Sequence, residues 1–359
     1  MPTPSAERPL PLHEADLAAC RTLLKTGSRS FFAAAHFLPY RCRDAATALY
    51  AFCRQADDAV DESGAPAEAL AVLHARLDAL FAGTPQNYPA DRALAAVAQR
   101  CGLPKALLEA LLEGFAWDAE GRAYDDLEGV LSYSARVAGA VGVMMAVLMG
   151  ERDADVLARA ADMGVAMQLT NISRDVGEDA RNGRLYLPRA WLREAGIDPE
   201  AFLAEPQHSE GLALVLARLL AVADTLYRRA DSGLTRLPSR CRPGMYAARL
   251  LYSAIGEQLA VRGYDSVSRR TVVPGTGKLR RLLALGRLPW LGESDLAAPV
   301  LAENHFLVEA VNAHPGPRVS SLLESEGRIS WVLERWAELD ERARLPVRAA
   351  ISASGARRA

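Results

Sequence analysis

Arg54-Gln55-Ala56-Asp57-Asp58-Ala59-Val60-Asp61-Glu62 closes an apolar run, Ala45 to Cys53 (AATALYAFC). Asp57 and Asp61 are four residues apart, so on a helix both project from one face, one turn from each other. Like charges at this spacing cost about 0.2–0.5 kcal/mol even when exposed. Several carboxylates at the end of a buried helix are unfavourable unless something positive meets them. A second stretch repeats the pattern: Gln168-Leu169-Thr170-Asn171-Ile172-Ser173-Arg174-Asp175-Val176-Gly177-Glu178-Asp179. Asn171, Asp175 and Asp179 fall at i, i+4 and i+8, so one helical stripe carries three hard oxygen ligands, with Gln168 and Arg174 within a turn. One such spacing alone reads as a solvated helix face. Two, each on an otherwise apolar helix and each with an arginine beside it (Arg54, Arg174), read as a site.

Oxygen ligands with no His or Cys select magnesium over zinc, and magnesium shares its shell with substrate phosphates. The two stripes therefore predict a diphosphate held between carboxylate-bound magnesium ions. The loop spacing of an EF-hand is missing, and so is a phosphate-binding G-x-x-x-x-G-K-[ST]. Glu205 to His208 gives one Glu-x-x-His; a di-iron bundle needs two, and this one contains Pro206.

Helical signals dominate the remainder, with Ala, Leu and Arg abundant and alternating β-patterns nearly absent. The pattern predicts helices over 14–26, 42–62, 67–83, 88–101, 104–120, 125–149, 153–180, 209–233, 243–262, 296–312 and 318–340. Pro104 and Pro243 suit first helical turns, and Gly150 and Gly263 suit helix ends. Residues 182–208 read as irregular. The expected organisation is a mobile lead-in over 1–15, a single helical domain over 16–285, a helical appendage over 286–340 and a frayed, disordered tail over 341–359.

The 359 residues are half hydrophobic, enough for a large core, and 44 acids nearly cancel 42 bases. No nucleic-acid partner is expected from that balance. No apolar run reaches the roughly 18 residues of a spanning helix; the best, Val137 to Met149, is too short. The Pro-rich start has no apolar signal core, so a cytoplasmic protein is expected. Five scattered cysteines without a C-x-x-C pair read as buried free thiols.

These residues, taken with others in order, resemble the squalene/phytoene synthase family over about residues 18 to 285. Gly27-Ser28-Arg29-Ser30-Phe31-Phe32 with Leu38-Pro39 resembles the family's opening segment. Tyr50 to Asp61 resembles its first aspartate-rich motif. Tyr133 to Gly142 is similar to its central tyrosine and glycine-rich helix. Gln168 to Asp179, continuing to Arg184-Leu185-Tyr186-Leu187-Pro188, resembles its second aspartate-rich motif. Arg262-Gly263-Tyr264-Asp265 and Arg269 to Val273 resemble its last signature. Within the family the motifs are nearest those of carotenoid-making bacterial members.

The resemblance implies an all-α isoprenoid synthase helical bundle with a central cavity. It implies magnesium, with manganese as a substitute, and head-to-head joining of two C20 allylic diphosphates (geranylgeranyl diphosphate) through a cyclopropyl intermediate. Carried over residue by residue, Asp57, Asp61, Asn171, Asp175 and Asp179 become metal ligands. Arg54 and Arg174 join the catalytic set. Ser28, Ser30, Tyr50, Tyr133, Gln168, Tyr252 and Arg269 become substrate-binding residues. Many members have His where this chain has Gly27, and no binding role is carried to that position.

The chemistry fits the residue types. An allylic diphosphate ionises when its leaving group is neutralised, and the cation then needs a dry wall that does not attack it. Aromatic faces stabilise such a cation by roughly 0.5–2 kcal/mol each. Core packing alone also explains Tyr50 and Tyr252, and close helix packing explains Gly139 and Gly142. Trp117-Asp118 and Tyr124-Asp125-Asp126 read as structural, with Asp125 and Asp126 capping the helix that leads to Tyr133. Tyr264-Asp265 and Arg269-Arg270 divide between a solvated surface and a lid or diphosphate contact. The competing functions are a family relative on C15 substrates, making squalene or dehydrosqualene, and a non-catalytic assembly protein, which would be expected to lose acidic ligands. Oily substrates make a peripheral contact with the inner membrane face an expectation; the oligomeric state is not legible.

Overall fold

A computed structural model of the chain describes residues 12–271 and 296–316, all within one compact unit, Met1–Pro317. The helices in chain order are α1 (Glu14–Gly27), α2 (Arg29–Ala35), α3 (Tyr40–Asp61), α4 (Pro66–Phe81), α5 (Pro89–Cys101), α6 (Lys105–Ala119) and α7 (Leu127–Ser134). A π-turn (Ala135–Gly139) joins α7 to α8 (Ala140–Leu148). Then follow α9 (Ala154–Arg181), α10 (Arg189–Glu194), α11 (Pro199–Ala204), α12 (Glu210–Leu234), α13 (Arg242–Val261) and, after a 3-10 turn at Ala302–Asn304, α14 (His305–Asn312). No strand occurs among the described residues. The described residues are all-α, as the sequence leads one to expect.

Each helix expected between residues 14 and 262 is present, with both ends within two residues of the expected ones. Punctuation residues explain this accuracy. Asp126 caps α7 by accepting the Gly129 amide at 2.8 Å, and Asp153 and Ser209 cap α9 and α12 in the same manner. Pro243 sits in the first turn of α13. The differences are short elements. Ser28 caps α2, and α10 and α11 occupy part of the stretch read as irregular. Six or seven residues are too few for a helical period to show. The helix expected from residue 296 begins only at His305. The helix expected over 318–340, the boundary at 285/286 and the tail over 341–359 lie outside the described residues.

Helix α9 is the axis of the bundle, with α8, the π-turn, α12 and α13 packed around it. Gly142 and Gly164 permit the closest approach. A methyl on Gly142 would strike the Ala160 carbonyl, and one on Gly164 the Ala138 carbonyl. The continuous helical run Leu127–Leu148 is long and apolar enough to cross a membrane by length and composition, contrary to the sequence reading, which counted only uninterrupted apolar residues. It lies largely buried in the bundle instead. The five cysteines form no disulfide, and four of them are buried. Ion pairs bind helices deep in the molecule: Arg76 grips the fully buried Asp91 through two hydrogen bonds of 3.0 and 2.6 Å.

Candidate active site: two carboxylate stripes above an apolar cavity

The last two turns of α3 carry Asp57, Asp58 and Asp61, and the last three turns of α9 carry Asn171, Asp175, Glu178 and Asp179. Two residues from other elements tie these stripes together. Arg184, just past α9, donates to Asp61 Oδ1 at 2.7 Å and also acts electrostatically on Asp179. Asp118, near the end of α6, raises the carboxyl pKa values of both Asp57 and Asp179 by its charge. Two segments more than a hundred residues apart thus share one mouth.

Arginines hold most of the carboxylates. Arg54 donates to Asp58 at 3.1 Å and to Asp57 at 3.3 Å. Arg174 grips Asp175 with two donors, Nε at 2.8 Å, and Arg270 grips the same carboxylate, Nε at 2.8 Å and Nη2 at 3.2 Å. Burial, reinforced by Asp61, pushes the Asp57 carboxyl up to about 6. Burial, reinforced by Asp175 and Glu178, pushes Asp179 up to about 7. Raised carboxylate pKa values at a partly enclosed mouth mean that negative charge there is under-compensated.

Among the described residues no three His, Cys, Asp or Glu side chains stand close enough together to hold a metal ion as they are. The donor set nevertheless fits a hard cation. Asn171 Oδ1 is buried with no hydrogen-bond partner among the described residues, on the same stripe as Asp175 and Asp179. The ligand atoms are all oxygen, and the charge deficit is positive.

Below the mouth lies a cavity of about 290 Å³, walled by α3, α8, the π-turn, α9, α12 and α13. Its lining is almost wholly apolar. Ser28, Tyr50, Gln168, Asn171 and Tyr252 stand among the lining residues. Tyr50 stacks on Phe31 at 5.6 Å, and burial pushes its phenol up to about 12, so it stays neutral. Gly27 accommodates the Tyr50 hydroxyl; a methyl there would collide with it. Tyr252 lies within electrostatic reach of Tyr50 and Arg174. Ser28 spends its hydroxyl on the Phe31 amide, at 3.3 Å, as the cap of α2. The Ser30 side chain lies outside the described residues.

Two expected residues stand elsewhere. Tyr133 is buried away from the cavity lining, and its hydroxyl donates to Asp118 at 2.8 Å. Arg269 is exposed on the loop and makes no ion pair or hydrogen bond among the described residues. Its neighbour Arg270 reaches the site. The loop can deliver Arg270 because Gly177 lets it lie on α9: a methyl on Gly177 would sit 2.6 Å from Val267 Cα, and the Gly177 amide donates to the Ser266 carbonyl at 3.3 Å.

Sequence reasoning missed Asp118. The Tyr186 hydroxyl also donates to it, at 2.7 Å, and Tyr133 and Tyr186 stack with centroids 4.9 Å apart. Tyr124 packs on both rings, its buried hydroxyl unpartnered among the described residues. Burial raises the Asp118 carboxyl pKa against the lowering effect of its two tyrosine donors. The one available sequence signal was an acid at the end of an apolar helix, the same signal as at Asp57.

The sequence model of the squalene/phytoene synthase family matches residues 24–277. A phytoene synthase of Rhodobacter capsulatus is 52% identical over 315 residues, covering 87% of this chain and 90% of that protein. A phytoene synthase of Cereibacter sphaeroides is 51% identical over 324 residues, covering 88% of each. Among solved structures, a dehydrosqualene synthase in complex with a ligand superposes with a TM-score of 0.72 at 31% identity, covering 76% of this chain and 96% of that one.

Proposed function

Because the chain belongs to the squalene/phytoene synthase family and acts as a phytoene synthase, a prenyltransferase of carotenoid biosynthesis, we propose that it joins two molecules of geranylgeranyl diphosphate head to head through prephytoene diphosphate. Magnesium, or manganese in its place, is held by Asp57 and Asp61 on one side and by Asn171, Asp175 and Asp179 on the other. What supports this reading is the meeting of both stripes at one mouth, through Arg184 and Asp118, directly above an apolar cavity.

When bound, the metal supplies Lewis acidity that neutralises the leaving diphosphate. Arg54 and Arg174 add charge-assisted hydrogen bonds to the same group. Arg270, now on Asp175, stands ready to join them. As the carbon–oxygen bond breaks, its electron pair leaves with the diphosphate, and the allylic cation remains in the cavity. The apolar wall excludes water that would quench it. Tyr50 and Tyr252 present ring faces, worth roughly 0.5–2 kcal/mol each to a cation. Asp118, fixed by the tyrosine hydroxyls, adds a carboxylate to the metal side of the mouth.

The test is incubation of the purified chain with geranylgeranyl diphosphate and magnesium, without NADPH, followed by identification of the hydrocarbon. A C40 product that chelator abolishes is expected. A C30 product from farnesyl diphosphate alone, or turnover indifferent to chelator, overturns the reading. The same reading puts the protein in the cytoplasm, touching the inner membrane face as it collects and releases oily molecules. Co-sedimentation with anionic lipid vesicles tests that contact, and a protein that stays in the supernatant contradicts it.

A further inference from the structure

The cavity lining includes one fully buried charge, Arg159, well along α9 from the carboxylate mouth. Along α9 the cavity-facing residues run from Asn171 through Gln168, Gly164 and Ala160 to Arg159 and Val156. Twelve helical residues separate Asn171 from Arg159, about 18 Å at about 1.5 Å per residue. An extended prenyl chain advances about 1.25 Å per bond of about 1.5 Å, so C15, C20 and C25 chains span about 14, 19 and 24 Å. The face up to Arg159 matches a C20 chain to within about 1 Å and is about 6 Å too short for C25.

Arg159 stands at the end of that face and is fully buried. Its Cγ lies where a methyl on Gly233 of α12 would come within 3.1 Å, so the absence of a side chain at 233 leaves room for it. Its guanidinium lies 3.0 Å from Asp162 and donates to the Ala298 carbonyl at 3.2 Å. Asp162 also accepts from Arg229 at 2.9 Å and from Asn304 at 3.2 Å, and Arg229 donates to the Pro299 carbonyl at 2.6 Å. Residues 298–304, part of the stretch expected to form an appendage, are thus tied to the floor of the cavity.

We propose that Arg159, fixed by Asp162 and the 298–304 segment, is the stop that limits the prenyl chain to C20. This rests on the function proposed above. An apolar floor residue can change rotamer to admit another isoprene unit. Arg159 cannot do so without leaving a buried carboxylate short of a partner and moving a charge within an apolar interior. Met149, Leu234 and Leu237 also line the cavity.

The test is competition among the C15, C20 and C25 allylic diphosphates on the full chain, read as ratios of kcat/KM, with far-UV circular dichroism as the folding control. The unaltered chain should prefer C20. Arg159→Ala should raise the C25/C20 ratio at least tenfold. Asn304→Ala removes a partner of Asp162 without touching the cavity lining, and should move the same ratio the same way by a few-fold; it decides the matter if Arg159→Ala does not fold. Ala160→Phe places a ring about 16 Å along α9 from Asn171 and should raise the C15/C20 ratio at least tenfold. An unaltered chain that uses C15 and not C20 overturns the function proposed above and the stop with it. An unaltered chain that prefers C20, with the C25/C20 ratio unmoved in the folded variants, overturns the stop alone.

Discussion

Arg270 and Asp175, ninety-five residues apart in the chain, are joined by two hydrogen bonds of 2.8 and 3.2 Å. Arg174 holds the same carboxylate, with Nε on the same oxygen at 2.8 Å. Both oxygens of the central residue of the α9 stripe are therefore occupied by guanidinium groups. A cation that uses Asp175 must compete with Arg270, whose side chain is half-exposed and free to move off. Arg270→Ala should tighten manganese binding to the substrate-free chain about two- to fivefold, the scale of an exposed ion pair, and weaken inorganic diphosphate binding. Titration calorimetry with each ligand reads both. Unchanged manganese affinity would contradict the competition.

Asp57→Ala and Asp175→Ala should each lower kcat by a factor of 100 or more, because each removes a ligand from one side of the mouth. The helical circular dichroism spectrum should persist, since both side chains stand at the mouth and not in the apolar core. Fully active variants would refute the metal assignment.

Asp118→Asn should cost a comparable factor in kcat, although it lies in neither motif. Its carboxylate bears on Asp57 and Asp179 together. Tyr186→Phe removes one of the two hydroxyls that hold it and should show a smaller loss with an altered pH profile. An Asp118→Asn enzyme with normal kcat would return that residue to the structural role the sequence alone indicated.

The pH dependence follows from the two raised carboxyls. A folded-state pKa above the unfolded value means that the folded chain binds more protons in between. The stability contributed by these groups is full below pH 3.8 and is lost as pH rises through about 6 for Asp57 and about 7 for Asp179. In metal-free protein, an Asp57→Asn, Asp179→Asn double variant should therefore gain Tm relative to the unaltered chain as pH rises from 5 to 8. The rise in Tm produced by magnesium in the unaltered chain should grow across the same window. Thermal scans at four pH values check both; parallel curves would contradict the shifts.

Stability away from the mouth rests on pairs such as Arg76–Asp91. Asp91→Ala leaves a buried guanidinium without its partner, at a cost of about 3–5 kcal/mol. Glu14→Ala, at a pair with an exposed carboxylate, should cost at most about 1 kcal/mol. Urea unfolding midpoints separate the two.

The sequence made the two stripes legible because each is periodic within one helix: Asp57 to Asp61, and Asn171 to Asp179, announce a shared face without any knowledge of the fold. The cap at Asp126 was legible for a related reason, since capping is local chemistry. Asp118, Arg184 and Tyr186 were not. Their roles come from contacts across 68 to 123 residues of chain, and no spacing encodes such contacts. Arg269 and Arg270 differ by one residue on a loop with no period. There the packing of the 266–267 backbone on Gly177 brings Arg270 to Asp175. Of the three tyrosines, Tyr50 and Tyr252 line the cavity, whereas the Tyr133 hydroxyl, on an equally apolar helix, donates to Asp118.

The most direct measurement is a crystal structure of the chain with manganese and an unreactive thio analogue of geranylgeranyl diphosphate, read from anomalous density. The account predicts metal peaks at about 2.1 Å from oxygens of Asp57 and Asp61 and from oxygens of Asn171, Asp175 and Asp179, with one diphosphate spanning them and its chain running toward Arg159. Manganese on one stripe only, or a diphosphate bound away from both, would contradict it.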